Sequence, residues 1–325
     1  MATVMVMGGG GFVGSHVCKR LVAAGHRVVA VDIEWPEYRM DQWRGVYSKE
    51  TVDLRDSRTV NDLIGGVNPD YLFQFAADMG GVEYFHSTFD WSASVNNALI
   101  NYSVLAALGK RVSPPRTLFT STACAYATEH QMTSQAPLLI EDDINWGTPD
   151  QLYGLEKRTS ALLYDAAPFQ TRVAMLHSVY GPYQEHSGIK MKFPSAACQK
   201  ARRSRKTKEM ELFGDGRQQR SYLYIDDAVD RLMTLMFDFD ESPGFVNIGS
   251  ETAYNCAYVA EQALTIAHEK AVHGVKVNYT PGPTGVRSRS CDNTKAKTLF
   301  DMSHTVSLRD GLARFIEWLD EVDPQ

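Results

Sequence analysis

Thr3-Val-Met-Val-Met7-Gly8-Gly-Gly-Gly11-Phe12-Val13-Gly14 is the stretch that decides the fold of this chain. Residues 3–7 are a short apolar run of strand length. Glycines at 8, 11 and 14 then allow a tight turn, close approach of backbone to a pyrophosphate, and close packing of the next helix on the strand. Ser15 to Ala24 has the spacing of an amphipathic helix, so the phosphates would meet a positive helix end. A glycine cluster in isolation reads as a flexible loop. Here a second strand, Arg27 to Asp32, follows, and Gly8, Gly11, Phe12, Val13 and Gly14 become candidate contacts of a dinucleotide. Asp32 ends that second strand, where a carboxylate accepts from the adenosine ribose and repels a 2′-phosphate, which selects NAD over NADP. Arg39 is the nearby residue that would favour the phosphate instead.

Strand and helix alternate onward, with strands near 3–7, 27–32, 49–53, 71–75, 117–120 and 172–176. That order predicts an α/β fold, a doubly wound parallel Rossmann sheet. Ligands gather at the carboxyl ends of such strands, which makes Asp53, at the end of the third, and Ala76, at the end of the fourth, further cofactor candidates. After Tyr180-Gly-Pro182 the alternation fails. Lys192 to Lys200 reads as helix, Met210 to Phe213 and Ser221 to Ile225 as extended. The expected division is a cofactor domain over 1–176, with a returning segment near 226–256, and a smaller interleaved substrate lobe over 177–325. Leu308 to Asp320 has the periodicity of a packing helix.

The 325 residues, with 44% hydrophobic content, are enough for both lobes to bury cores. A net charge of −6 gives no reason to expect a nucleic-acid partner. The basic run Lys200 to Lys208 reads as a solvated helix end. No apolar run reaches membrane-spanning length and no signal segment precedes the glycine turn, so a cytosolic chain without a membrane partner is expected. Five cysteines, without CxxC spacing, suggest neither a disulfide framework nor a metal site; most read as small buried side chains.

Tyr153-Gly-Leu-Glu-Lys157 puts a phenol and an ammonium on one helix face, where the cation favours the phenolate and the tyrosine can take a proton from an alcohol. Upstream, Thr122-Ala123-Cys124 sets a candidate carbon acid/base beside that pair.

These strings, with Tyr180-Gly-Pro182, Gly214-Asp-Gly216 and Arg220, and Val246-Asn-Ile-Gly249, resemble the extended short-chain dehydrogenase/reductase superfamily of nucleotide-sugar epimerases and dehydratases. The resemblance spans almost the whole chain. Within that superfamily the chain is most similar to the GDP-mannose 3,5-epimerases, through Ala76-Ala-Asp-Met-Gly-Gly81, Ser121 to Tyr126, Lys192 to Lys200, Gly214 to Ser221, and Pro281 to Arg287 with Asp292-Asn293. The resemblance implies that Tyr153, helped by Lys157 and Thr122, removes the sugar O4 proton as NAD oxidises C4. Cys124 as base and Lys192 as acid would then invert C5 and C3 from opposite faces. It further implies substrate contacts at Gly80, Thr122, Ala123, Cys124, Ser178, Met191, Lys192, Phe193, Lys200, Gln218, Arg220 and Arg287, and a homodimer built on helices near 91–108 and 153–166. Two departures touch the sugar pocket: Ser178 stands where the family has asparagine, and Lys190-Met191 replaces Arg-Glu. The open alternatives are a 4-epimerase or single-centre epimerase acting on a related sugar nucleotide, a 4,6-dehydratase, and a non-catalytic NAD-binding sensor.

Overall fold

In the computed structural model, which describes residues 1–87, 89–268 and 274–324, the opening run is strand β1 (Thr3–Met7) and helix α1 (Phe12–Ala23) begins directly after Gly11. The helix thus starts three residues earlier than its periodicity indicates, which aims its N-terminus at the glycine turn. Strands β2 (Arg27–Asp32), β3 (Ser48–Thr51), β4 (Tyr71–Gln74), β5 (Arg116–Thr122) and β6 (Thr171–Leu176) follow, all parallel where they pair. Their lateral order is β6-β5-β4-β1-β2-β3, and a seventh strand, Phe245–Ile248, joins parallel to the outer edge of β6. This is the doubly wound parallel sheet expected from the alternation. Its strand order reverses beside β1, so the crevice opens at the ends of β1 and β4. Gly8 makes that crevice possible. Its φ is +80°, and a Cβ there would lie 2.5 Å from the Ala76 nitrogen.

Helices α2 (Ser57–Val67), α3 (Val82–Phe85), α4 (Phe89–Leu108) and α5 (Gln151–Asp165) complete the first half. Apolar side chains of β1, β2 and β4 bury one sheet face under α2 and α4, including Met5, Val29 and Leu72. Val4, Val6, Val28 and Phe73 bury the other. The chain leaves the sheet after Leu176 and returns at Phe245. Between and after these points it forms helix α6 (Phe193–Thr207), a three-stranded sheet of Ala253–Asn255, Gln219–Ser221 and Ser288–Arg289, and a parallel pair of Glu209–Phe213 with Lys276–Thr280. The packing helix runs Leu308–Val322 and buries Leu312, Phe315, Ile316 and Leu319.

Two expectations are corrected here. Asp53 does not end a strand: β3 stops at Thr51, and the exposed Asp53 carboxylate is taken by Arg55 Nη2 at 2.6 Å and Nε at 2.9 Å. Nor is the basic run merely a solvated helix end. Arg202 is fully buried and donates to Asp320 at 2.7 Å and to Gln199 at 2.9 Å, and Arg205 also reaches Asp320 at 2.8 Å. Burial opposes the Asp320 charge, but hydrogen bonds from Arg205 and Arg202 outweigh it and hold the carboxyl below its ordinary range. A depressed carboxyl contributes stability above its unfolded value and loses it as pH falls through the folded one. We expect Arg202→Ala to cost about 2–3 kcal/mol in urea unfolding, since the stranded carboxylates can rehydrate but the buried charge-assisted bonds are lost. A cost below about 0.5 kcal/mol, the level of an ordinary surface change, would contradict this.

Among the described residues no helix is long and apolar enough to cross a membrane, and no group of three or more His, Cys, Asp or Glu could hold a metal ion. All five cysteines are unbridged; Cys18, Cys198 and Cys291 are buried, whereas Cys124 and Cys256 are partly exposed.

Candidate active site

At the end of β2, Asp32 accepts from the backbone nitrogens of Gly10 at 2.9 Å and Ile33 at 2.7 Å. Burial pushes its carboxyl up and these bonds hold it back. Arg39, the residue that would have favoured a 2′-phosphate, is buried and committed elsewhere: it donates to the carbonyls of Tyr183 at 2.7 Å and Gly10 at 2.9 Å and to Glu185 at 3.1 Å. The loop after Ala76 is clasped by Asn97 of α4, which accepts from Asp78 N at 2.7 Å and donates to Asp78 O at 3.0 Å. The Asp78 side chain in turn accepts from Tyr84 at 2.8 Å and Lys190 at 3.0 Å, tying this loop to the segment ahead of α6.

Thr122 ends β5, and its hydroxyl accepts from Cys124 N at 3.3 Å. Helix α5 starts against this turn. Asp150 N donates to Cys124 O at 2.9 Å, and a Cβ at Gly154 would sit 2.3 Å from the same oxygen, so only glycine lets the helix close up. Asp90 of α4 satisfies the first turn of α5 by accepting from Leu152 N and Tyr153 N, each at 3.1 Å. Tyr153 is thereby fixed, stacked on Phe85 with ring centroids 4.3 Å apart. Burial pushes its phenol up, Cys124 and Glu156 add to this, and a hydrogen bond from Thr122 opposes it.

Lys157 follows Tyr153 about one turn along α5. Its buried ammonium lies 3.8 Å from Glu156 and 6.0 Å from the Tyr153 ring centroid, and burial lowers its pKa against the pull of Glu156. The other Glu156 oxygen accepts from Asn101 at 2.9 Å and Ser160 at 2.6 Å.

Cys124 faces a residue the sequence reading passed over. Arg289, nine-tenths buried, donates from Nη1 to the Cys124 sulfur at 2.9 Å, from Nη2 to Asp150 at 2.6 Å, and from Nε to Gln131. Lys192 stands at the N-cap of α6: burial lowers its pKa, and Cys124 is near enough to oppose that. Arg220, partly buried, lies beside Arg289 and close enough to Cys124 to feel its charge. Gln218 is buried with its side-chain oxygen unpartnered. Lys200 lies two turns along α6 with its ammonium 4.7 Å from the Phe213 ring, and Arg287 stands apart, paired with Asp215 at 3.0 Å. Gly80 packs on Tyr84, Gly81 on the Met191 carbonyl, and Met191 and Phe193 flank Lys192. Ala123 is buried, and Ser178 adopts a left-handed φ of 40°, a conformation asparagine accepts more readily than serine.

Residues 4–249 match the NAD dependent epimerase/dehydratase family. The chain belongs to that family. GDP-mannose 3,5-epimerase 1 of Oryza sativa subsp. japonica is 33% identical over 98% of this chain and 82% of its own. A probable UDP-glucuronate 4-epimerase of Rhizobium meliloti is 25% identical over 98% of this chain and 96% of its own. The fold is shared with the crystal structure of UDP-glucose 4-epimerase from Thermotoga maritima, with a TM-score of 0.82 at 22% identity over 98% and 99% of the two chains.

As in the epimerase/dehydratase family, the cofactor is NAD, and the residues present fit it. The crevice between Gly8 and Ala76 leaves no room for a side chain on the turn, α1 points its N-terminus there, and the Asp32 carboxylate stands at the end of β2. With Arg39 engaged elsewhere, NAD is expected to bind about ten- to a hundredfold more tightly than NADP. Equal affinities in calorimetry would contradict the role of Asp32.

Proposed function

We propose that the chain is a GDP-mannose 3,5-epimerase, which inverts C5 and C3 of the hexose through transient oxidation at C4. The observation that carries the reading is Cys124 packed against Tyr153, with its backbone nitrogen on the Thr122 hydroxyl and Arg289 on its sulfur, and with the Lys192 charge near enough to feel it. Bound NAD supplies the reversible oxidation of C4, which acidifies the hydrogens on the neighbouring carbons. Tyr153, oriented by Phe85 and the Thr122 hydroxyl, takes the O4 proton and later returns it. Cys124 removes the carbon-bound proton and Lys192 delivers one to the opposite face. A depressed lysine gives up its proton more readily than an ordinary one, which suits an acid. Arg220 and Gln218, with Lys200, suit the diphosphate side of the substrate, and Arg287 joins them by releasing Asp215.

A 4-epimerase acting on a UDP-sugar is the second reading, favoured by the relatives at lower identity and by Ser178 in place of asparagine. Such an enzyme inverts the oxidised carbon itself and needs no thiol base beside it. The 33% identity to a protein described as a GDP-mannose 3,5-epimerase and the charged surroundings of Cys124 support the first. Incubation with GDP-mannose, UDP-glucuronate, UDP-glucose and dTDP-glucose separates the two. Turnover of GDP-mannose is expected; turnover of a uridine sugar alone would overturn the substrate assignment.

The homodimer belongs to the same proposal. Trp91, Val95, Leu99 and Tyr102 form an exposed apolar stripe on α4, and Leu152, Leu155 and Leu163 are exposed on α5. Sedimentation velocity should give a dimer that Leu99→Glu converts to monomer; a native monomer at micromolar concentration would contradict it.

A further inference from the structure

We infer that Arg289 is a positioning residue for the proposed proton transfer: its guanidinium fixes the Cys124 sulfur in place and holds negative charge on it. The inference rests on the reading of Cys124 as the base, and it assigns to that base a charge partner outside the motifs that define the site.

A buried arginine is costly unless its donors are matched by acceptors. Arg289 sits on the two-residue strand Ser288–Arg289, in register with Arg220 of the neighbouring strand. Its three nitrogens address three different elements: Nε the Gln131 side chain, Nη2 the Asp150 carboxylate at 2.6 Å, and Nη1 the Cys124 sulfur at 2.9 Å. Gln131 and Asp150 therefore hold the planar fork from two sides and leave its third corner on sulfur. A lysine, with one charged point and no fork, cannot make this set of contacts. The sulfur contact lies well inside hydrogen-bond reach for so large an acceptor.

The surrounding charges act in the same direction. Arg289 and Arg220 face Cys124 from the small sheet, Lys192 from the start of α6, and the Tyr153 phenol from α5. Against these cations stands the Asp150 carboxylate, which is bonded to Arg289 itself. Arg289 differs from Arg220 because it touches the sulfur, and from Lys192 because it also stays charged at every working pH. Lys192 must lose and regain a proton in the reaction, so a permanent charge on the thiol side keeps the two groups in opposite protonation states.

The test is the rate at which iodoacetamide alkylates Cys124, followed by peptide mass spectrometry across pH in the protein with NAD bound. Only the thiolate reacts, so the profile reports the charge on sulfur. Arg289→Met should slow alkylation at pH 7 by about tenfold or more and move the profile to higher pH, equivalent to at least about one pH unit. Arg289→Lys should recover part of the rate. An Arg289→Met profile that overlays the native one would overturn the inference. Should Arg289→Met fail to fold, Cys124→Asp and Cys124→Asn decide the matter by thermal unfolding at pH 7. The guanidinium makes the aspartate variant the more stable of the two; an asparagine variant equal to it or better would overturn the inference. None of these readouts uses a sugar nucleotide, so a failure to turn over GDP-mannose would leave the charge partnership standing, and an unchanged alkylation profile would leave the substrate reading standing.

Discussion

Tyr153→Phe is expected to lower turnover on the order of 10³-fold while leaving NAD binding and folding intact. The reason lies in how the ring is held. Phe85 stacks on it and the first turn of α5 is secured by Asp90, so removing the hydroxyl leaves both supports in place. What disappears is the proton carrier, and the Thr122 hydroxyl beside it lacks the acidity to replace it. Steady-state kinetics beside calorimetric titration of NAD would check this. Residual turnover within tenfold of native would remove the tyrosine from the chemistry.

Cys124→Ala should abolish inversion by a comparable factor, on the order of 10²–10⁴, yet leave the bound cofactor able to be reduced slowly by substrate. Oxidation at C4 uses Tyr153, whereas exchange at C5 and C3 uses sulfur, so the two activities separate. Lys192→Ala should resemble it, losing turnover far more than substrate affinity, because its work is to deliver a proton rather than to hold the diphosphate. Product formation and cofactor absorbance, recorded on the same sample, distinguish the two steps. A Cys124→Ala enzyme that inverts at the native rate would refute the assignment of the base.

The parts of this fold that were legible in the sequence are those carried by local patterns. The glycine turn, the alternation through β6 and the Tyr153–Lys157 spacing each signal their structure within a few residues. What escaped depends on partners far along the chain. Arg202 looks like a surface residue until Asp320, 118 residues later, is packed against it. Arg289 meets Cys124 across 165 residues, and nothing near either predicts the contact. Arg287, two residues before it, pairs with Asp215 instead, so the two arginines of one short segment serve different partners. Asp53 was misplaced because its strand ends two residues sooner, where Arg55 can take the carboxylate within its own turn.

Incubating the protein and NAD with GDP-mannose in deuterated water, and reading the sugar carbons by proton NMR, tests the central claim most directly. Removal of a carbon-bound proton by Cys124 and its replacement through Lys192 must carry solvent label onto the inverted carbons. Deuterium at C5 and C3 of the epimerised sugars, absent from C4, is the expected result. Conversion of the sugar without label at either carbon would contradict the account.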